Sequence, residues 1–184
     1  MSRPKLAHIV EAIRVSALPA GMRTHIVAID GLGGAGKSTL AERLARELDA
    51  PIVHTDDFAS WENPIEWWPD LIEKVLRPIA AGRPARFRPT SWGGPTRPQI
   101  AIRPGNFVVL EGVSASREAF RPFLAFSIWV ETPQDVRLRR GLDRDGEQAR
   151  ADWARWMAEE DAYVEREQPS ARADVVLRGD EHLT

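Results

Sequence analysis

A glycine-rich segment from Gly31 to Ser38 constrains the fold of this chain more than any other stretch of its sequence. It matches the pattern G-x-x-x-x-G-K-S/T, which is typical of a phosphate-binding loop. An apolar β-branched run precedes it and leucines at helical spacing follow it, so the sequence predicts a strand, a tight turn and a helix. Glycines allow positive φ and bring successive N–H groups close to a polyphosphate, while the helix directs the positive end of its dipole at the same anion.

The loop predicts a nucleotide site made of consecutive residues. Lys37 would reach the β- and γ-phosphates of the ligand, and the Ser38 hydroxyl would bind Mg²⁺. The residues predicted to bind the nucleotide are Gly31, Leu32, Gly33, Gly34, Ala35, Gly36, Lys37, Ser38 and Thr39. The alternative interpretation is a glycine-rich turn without a ligand, and the strand and helix patterns on either side of the loop argue against it.

Length and composition exclude several classes of protein. A chain of 184 residues is long enough for a proper core, and we predict a single domain over residues 1–184. The formal net charge of -2 gives no electrostatic reason to expect nucleic acid as a partner. Because there is no cysteine, disulfides, thiolate metal sites and a cysteine nucleophile are excluded. We see no secretory signal and no apolar run of membrane-spanning length, and therefore expect a cytoplasmic protein that contacts no membrane.

Strands alternate with helices along the chain. We predict strands at 25–30, 52–55, 107–110, 126–130 and 174–177, and helices at 4–17, 37–48, 134–141 and 149–167. Such alternation is typical of parallel βαβ units. Together with the glycine-rich loop, it predicts an α/β fold of the P-loop nucleoside triphosphate hydrolase type, a three-layer sandwich with a five-stranded parallel sheet, helices on both faces and a mobile lid. We expect the first helix to pack on the sheet; the alternative is that it forms a homodimer interface.

Acidic side chains follow two of the predicted strands. Asp56 and Asp57 come after the second strand, and Glu111 comes after the third. Ligands of open parallel sheets lie at the carboxyl ends of the strands, where one carboxylate can hold Mg²⁺ and another can accept a proton from an attacking hydroxyl. The alternatives are a helix N-cap pair for the two aspartates and a solvent-exposed charge for Glu111. Asp30, directly before the loop, is expected to hold the turn.

Four arginines lie in the helix predicted after the fourth strand and just beyond it. Phosphoryl transfer spreads negative charge over the γ-phosphate oxygens, so a mobile arginine-rich flap would stabilise that charge and exclude water. We predict such a lid at about 137–150, in which Arg140 and Arg144 contact phosphate. For Arg137 and Arg139 we favour the alternative, a solvated helix face with Asp–Arg pairs.

The middle region, residues 57–105, is irregular and rich in tryptophan, arginine and proline. Long irregular insertions in compact domains are usually functional, and flat aromatic rings with arginines can clamp a ring-bearing acceptor. We therefore predict an acceptor-binding insertion; the alternative is that its tryptophans form a small satellite core. The residues predicted to bind the acceptor are Asp57, Phe58, Trp61, Trp92 and Arg97. Elsewhere, the spacing of Trp153 and Trp156 favours helix packing, and His54 is assigned a structural role.

Four motifs in this order resemble the small-molecule kinases of the uridine kinase, phosphoribulokinase and pantothenate kinase superfamily, and bacterial uridine kinase-like proteins in particular. The motifs, which span most of residues 25–145, are Ile29 to Leu40, His54 to Phe58, Val108 to Gly112, and the arginine lid ending at Arg144-Asp145. The resemblance implies an ATP- and Mg²⁺-dependent phosphotransferase that acts on a hydroxyl of a small molecule, with a nucleoside as the first expectation.

The resemblance also implies a role for each matching residue. Asp56 would be the general base, with Asp57 in the place of a small polar residue. The residues implied to be catalytic are Asp56, Lys37, Arg140 and Arg144, and those implied to hold Mg²⁺ are Ser38, Glu111 and Asp56.

The acceptor is where the sequence departs from the family. Uridine kinases hold the ribose diol with an aspartate in a Tyr-Asp-Phe-like stretch before the third strand, whereas the matching stretch here is Thr90-Ser91-Trp92. A kinase of a non-nucleoside metabolite or antibiotic is therefore an alternative. A nucleotide-binding regulatory module is the alternative from another class, and it would require an N-K-x-D stretch, which the sequence lacks.

Overall fold

The computed structural model describes residues 6–60, 63, 66–91 and 94–179. The strands are β1 (His25–Gly31), β2 (Ile52–His54), β3 (Ala85–Phe87), β4 (Ile100–Ile102), β5 (Phe107–Glu111), β6 (Leu124–Glu131) and β7 (Val175–Arg178). The helices are α1 (Leu6–Arg14), α2 (Lys37–Leu48), α3 (Trp68–Leu71), α4 (Arg77–Ala80), α5 (Gln134–Asp145), α6 (Arg150–Glu167) and α7 (Pro169–Arg172). A π-helical turn, Ile72–Leu76, joins α3 to α4, and 3-10 turns lie at Thr55–Asp57, Glu118–Phe123 and Glu147–Ala149.

A five-stranded parallel sheet forms the middle layer, with the strand order β2-β5-β1-β6-β7. This confirms the predicted α/β fold with five parallel strands. β1 is the central strand and is covered on both faces, which explains why residues 26–29 are apolar without interruption. Because all the strands run in one direction, their carboxyl ends meet at the same edge of the sheet, and the loop after β1 lies at the middle of that edge.

Helices cover both faces of the sheet and bury one core on each. On one face α1 and α2 pack against Val27 and Ile29, and on the other the helical segment α3–α4 packs against Ile26 and Ala28. The alternation follows from the two-residue period of a strand. The first helix thus packs on the sheet, as predicted. Within the described ranges, no helix is both long and apolar enough to span a lipid bilayer.

The structure differs from the predicted elements at three main places. α1 ends at Arg14, whereas the sequence predicts a helix as far as residue 17. α5 continues to Asp145, whereas the sequence predicts its end at Gly141. Gly141 does not terminate the helix because it is a packing glycine: a Cβ there would come within 2.3 Å of the Trp153 indole on α6. In the insertion, which the sequence had indicated to be irregular, β3 and β4 form an antiparallel hairpin with Arg86 opposite Ala101.

Candidate active site

The loop after β1 turns sharply into α2. Gly36 is the N-cap residue of α2 and has a φ of 99°, a left-handed conformation that favours glycine. The Lys37 side chain is buried, and its Nζ donates a hydrogen bond to the Leu32 carbonyl oxygen at 3.0 Å. From the end of β6, the Thr132 hydroxyl donates to the Ala35 carbonyl oxygen at 3.0 Å. Lys37 therefore connects the end of the loop to its beginning, and Thr132 attaches the loop to the neighbouring strand.

Asp30 lies fully buried near the end of β1. It accepts hydrogen bonds from the backbone N–H groups of Gly31 and Ser114, from the N–H and hydroxyl of Ser116, and from the Tyr163 hydroxyl at 2.6 Å. Burial raises the pKa of Asp30, although the hydrogen bonds from Tyr163 and Ser116 favour its ionised form. Asp30 thus joins β1 to the segment after β5 and to α6, which agrees with the expectation that it holds the turn.

Glu111 ends β5 and is buried beside the start of α2. Its Oε2 lies 2.7 Å from His54 Nδ1, and its Oε1 accepts a hydrogen bond from the Ser38 hydroxyl at 3.3 Å. Burial alone would raise the pKa of Glu111, but the hydrogen bond from His54 and the charge of Lys37 outweigh it, so the pKa is lowered. The carboxylate is therefore ionised, and it faces the residue predicted to bind Mg²⁺.

The two aspartates after β2 differ in burial. Asp56 is exposed to the cleft beside the loop. The protein around that cleft displaces water and raises the pKa of Asp56; the charge of Lys37 lowers it, and that of Glu111 raises it further. Asp57 is buried, and its Oδ1 lies 2.6 Å from Arg97 Nη1. Asp57 is therefore held in an ion pair with the insertion, whereas Asp56 is open to the cleft beside the glycine-rich loop.

A cavity of about 870 Å³ opens between the loop, the strand ends and helices α5 and α6. Residues 33–39 line it except Ala35, which is buried, while Gly31 ends β1 beneath the loop and Leu32 borders a separate pocket. The other predicted site residues that line the cavity are Asp56, Asp57, Glu111, Arg140 and Arg144. This volume lies near the upper end of the range of about 300–1,000 Å³ for small-molecule sites.

The cavity also contains residues that the sequence reasoning did not assign to a site. His54, Trp153 and Trp156 line it. His54 immediately precedes the Thr55–Asp57 turn, so the same strand-end rule that selected the aspartates could have selected it. For the two tryptophans no sequence signal was available, because their spacing is equally typical of packing between helices.

The lid arginines make protein contacts in this structure. Arg140 donates to the Gly34 carbonyl oxygen at 3.2 Å and to the Gly179 carbonyl oxygen at 3.1 Å. Arg144 pairs with Asp145 at 2.8 Å, and its guanidinium carbon lies 5.6 Å from the centre of the Trp153 ring.

The prediction of a solvated helix face is confirmed for Arg139, which is exposed. It is wrong for Arg137, which is buried. Arg137 is buried because its guanidinium pairs with Glu160 of α6 at 3.2 Å.

The predicted acceptor residues are distributed unevenly. Arg97 reaches the site through its pair with Asp57, and the backbone N–H of Thr90 donates to the Asp57 carbonyl oxygen at 2.8 Å, so the hairpin segment docks on the turn after β2. Phe58 lies in the core, with its ring centre 4.7 Å from that of Phe87, and does not line the cavity. Trp61 and Trp92 lie outside the described residues.

Trp67 shows that part of the insertion is a packed core. It is buried, belongs to the core beneath the sheet, and lies 5.8 Å from the guanidinium carbon of Arg117. Burial lowers the pKa of Arg117, while the charge of Glu167 raises it. Trp67 therefore packs in the main core on one face of the sheet, and not in a separate satellite core or in the cavity beside the loop. A small cavity of about 20 Å³ separates Trp67 from Asp56 and Trp156, which is room for roughly one water molecule.

The donor set beside the loop fits Mg²⁺. The Ser38 hydroxyl and the carboxylates of Glu111 and Asp56 line one cavity, and oxygen donors of this kind are those that Mg²⁺ prefers. Among the described residues, no group of three or more His, Cys, Asp or Glu side chains is arranged to hold a metal. Mg²⁺ here would therefore share its coordination with phosphate oxygens of a bound nucleotide, as is usual for this ion.

The fold and the loop together define a P-loop protein, with a loop of the phosphate-binding pattern between a parallel strand and a helix. The family model described as "AAA domain" matches residues 27–168, and the chain belongs to that family.

Solved structures from bacteria share this fold. A possible uridine kinase from Bacillus stearothermophilus is 22% identical, with a TM-score of 0.71, and the match covers 94% of this chain and 96% of that one. A protein provisionally assigned as a fructose transport system kinase, from Silicibacter sp. TM1040, is 18% identical, with a TM-score of 0.73 and coverage of 95% and 99%. A sugar kinase from Janibacter sp. HTCC2649 is 18% identical, with a TM-score of 0.54 and coverage of 87% and 88%.

These likenesses confirm the resemblance to the uridine kinase superfamily at the level of the fold. No curated protein matches the chain.

Proposed function

We propose that this protein is an ATP- and Mg²⁺-dependent phosphotransferase that moves the γ-phosphate to a hydroxyl of a small molecule. The observation that carries the proposal is that Asp56, whose pKa is raised, lines the same cavity as Lys37 and the loop amides. A carboxylate with a raised pKa is a stronger base than an ordinary aspartate, and it lies beside the loop that would hold the phosphates.

The proposed reaction is a direct displacement at the γ-phosphorus. The acceptor oxygen forms a bond to phosphorus, the bond from phosphorus to the bridging oxygen of ADP breaks, and the hydroxyl proton passes to Asp56. Lys37 and the loop N–H groups stabilise the charge on the phosphates, and the lid arginines Arg140 and Arg144 add positive charge from α5. Ser38 and Glu111 would hold Mg²⁺, which supplies further neutralisation of phosphate charge when bound.

A nucleoside is the first candidate acceptor, because the four motifs resemble uridine kinases. A non-nucleoside metabolite or antibiotic with several hydroxyls is the second, and one contact favours it. Asp57 is already paired with Arg97, and the stretch Thr90-Ser91-Trp92 has no carboxylate to hold a ribose diol. The cavity of about 870 Å³ has room for a nucleotide and a small acceptor together.

The test is phosphoryl transfer from γ-labelled ATP to a panel of nucleosides, sugars, other hydroxylated metabolites and antibiotics. We expect one class of acceptor to stimulate transfer, Lys37→Ala to abolish it, and Asp56→Asn to lower it by about 10²–10⁴-fold while ADP still binds. If no acceptor stimulates transfer and Asp56→Asn changes nothing, the proposal fails. Tight nucleotide binding without any transfer, or a preference for GTP, would favour the regulatory-module alternative instead.

Two further expectations accompany this proposal and remain predictions. Cell fractionation would test the cytoplasmic location. Sedimentation would test whether the chain forms a homodimer.

A further inference from the structure

A buried carboxylate on α6 contacts the phosphate-binding loop directly. Glu160 is 1% exposed. Its Oε1 accepts hydrogen bonds from the Gly33 backbone N–H at 2.7 Å and from Trp156 Nε1 at 2.8 Å, and its Oε2 accepts one from Arg137 Nη1 at 3.2 Å. One side chain therefore joins three elements: the loop, α6 and the lid helix α5.

Only a carboxylate satisfies this arrangement. Donors face both oxygens of Glu160, so an amide side chain would turn its NH₂ group towards a donor in either orientation. A buried donor left without an acceptor is costly, whereas a carboxylate accepts from all of them. Burial raises the pKa of Glu160, while the Gly33 N–H, the charge of Lys37, Trp156 and Arg137 all favour its ionised form.

Helices α5 and α6 approach the two glycines in the middle of the loop closely. A Cβ at Gly33 would lie 3.0 Å from Glu160 Oε1 and 3.1 Å from the Trp153 ring. A Cβ at Gly34 would lie 2.6 Å from the Arg137 carbonyl oxygen. The approach of α5 thus leaves no room for a Cβ at Gly34, whereas a Cβ at Gly33 would crowd Glu160 and Trp153.

The Gly33 amide consequently has a protein partner rather than a phosphate partner. One N–H cannot serve both anions, and a phosphate oxygen placed against the Glu160 carboxylate would be repelled. The N–H groups left for the nucleotide are those further along the loop, from Gly34 towards α2. The Glu160 contact fixes the peptide group that carries the Gly33 N–H. The orientation of that peptide group in turn determines where the following N–H groups of the loop point.

We propose that Glu160 is a positioning residue for the phosphate-binding loop: by holding Gly33, Trp156 and Arg137 together, it orients the loop for the phosphates and couples it to the lid helix. The inference rests on the proposed function only in requiring that the loop binds a nucleotide. Glu160 touches no reacting atom; it acts through the Gly33 peptide and through Trp156, whose side chain lines the nucleotide cavity.

Calorimetric titration with Mg·ADP tests this role, because it reports the dissociation constant and the number of sites separately. We expect Glu160→Gln to raise the dissociation constant at least about tenfold with the number of sites unchanged, since the loop is intact but badly oriented. A purely structural role would instead lower the number of sites and leave the dissociation constant alone. Glu165→Gln, on an exposed part of the same helix, is the matched control and should bind like the wild type.

The pairing with Arg137 gives a second, independent test. Arg137→Leu should also weaken Mg·ADP binding, and the double variant Arg137→Leu/Glu160→Gln should be no weaker than Glu160→Gln alone, because both changes break the same link. If Glu160→Gln does not fold, Arg137→Leu carries the test. An unchanged or lower dissociation constant in the folded variant overturns the inference. An unchanged constant would mean that the carboxylate only packs, and a lower one that it competes with phosphate. Absence of nucleotide binding by the wild type would instead contradict the proposed function.

Discussion

His54 Nδ1 lies 2.7 Å from Glu111 Oε2, and this pair joins the carboxyl ends of two neighbouring strands at the floor of the cleft. The two residues are directly opposite each other in the parallel register of β2 and β5. The hydrogen bond to Glu111 raises the pKa of His54, although burial opposes it, and the same bond helps to lower the pKa of Glu111. Glu111 therefore carries its negative charge at neutral pH, with Oε1 directed at Ser38.

Stability should depend on pH through His54. The pKa of His54 is higher in the folded state than in the unfolded state, where it is about 6.5. The stabilisation by protonated His54 is therefore complete below the unfolded-state pKa and is lost as the pH rises through the folded-state pKa. We expect His54→Gln to lower the melting temperature at about pH 5.5 and to have little effect at about pH 9. Because the His54 side chain is 47% exposed, the effect of the substitution on the free energy of unfolding should differ between the two pH values by less than about 1 kcal/mol, which corresponds to about 4 °C in melting temperature.

His8→Gln, at an exposed position on α1, is the matched control for this measurement. Because its side chain is on the surface, this change should leave the melting temperature close to that of the wild type. If His54→Gln instead destabilised the protein more at about pH 9 than at about pH 5.5, the assignment of a protonated His54 paired with Glu111 would be wrong.

The rate of phosphoryl transfer should fall in acid as Asp56 becomes protonated. Its pKa is raised above the ordinary 3.8, so the base is lost at a higher pH than a solvent-exposed aspartate would be. We expect kcat/KM to decline on the acid side with a midpoint above the pKa of an ordinary aspartate, and Asp56→Asn to abolish that decline along with most of the activity. Asp57→Asn should keep the acid decline even where its overall rate is reduced, because Asp57 is paired with Arg97. An acid decline that survives in Asp56→Asn would assign the base elsewhere.

Much of the fold could be predicted from the sequence because its signals are local. β1 shows a continuous apolar run because it is covered on both faces, and the glycine loop follows it directly. The aspartates after β2 and Glu111 after β5 were predicted to reach one cleft, since parallel strands end at a common edge. The end of α5 was misplaced because glycine is a usual helix terminator, and nothing near Gly141 reveals the Trp153 ring that packs on it.

The contacts that the sequence did not reveal join residues far apart in the chain. Glu160 lies 127 residues after Gly33, and His54 lies 57 residues before Glu111. Neither pair has a local pattern, because each depends on which strands become neighbours and on where a later helix crosses the loop. Arg137 illustrates the consequence: its helix appears polar in sequence, yet its charge is buried because Glu160 is opposite.

Arg144 should contribute to the rate, whereas Arg139 should not. Both are on α5, but Arg144 lines the cavity and Arg139 does not. We expect Arg144→Gln to lower kcat by about 10-fold or more through lost stabilisation of the γ-phosphate charge, with little change in ADP binding, and Arg139→Gln to match the wild type. Steady-state kinetics with the acceptor found in the panel makes the comparison. Equal effects of the two variants would show that Arg144 acts only through the general charge of the helix.

Arg97 should affect the acceptor rather than ATP. Its ion pair with Asp57 attaches the hairpin segment to the turn that carries Asp56. We expect Arg97→Gln to raise the KM for the acceptor severalfold and to leave the KM for ATP unchanged, because the insertion would lose its anchor while the loop stays intact. Arg86→Gln, at an exposed position on β3, is the control. A rise in the KM for ATP alone would contradict the assignment of residues 57–105 to the acceptor.

Gly141→Ala should destabilise the protein, although alanine is the better helix former. In an open helix position the change would stabilise by about 1 kcal/mol. Here the new Cβ would lie 2.3 Å from the Trp153 indole, which packs with Leu142 and Met157, so overpacking of about 1–3 kcal/mol should prevail. Thermal unfolding should therefore show a lower melting temperature. In a Trp153→Ala background, where the ring is absent, the same change should be neutral or stabilising, because the clash is relieved. If Gly141→Ala alone melts at or above the wild-type temperature, α5 and α6 can move apart without loss of stability. The close packing of the lid helix against α6 would then not stabilise the protein.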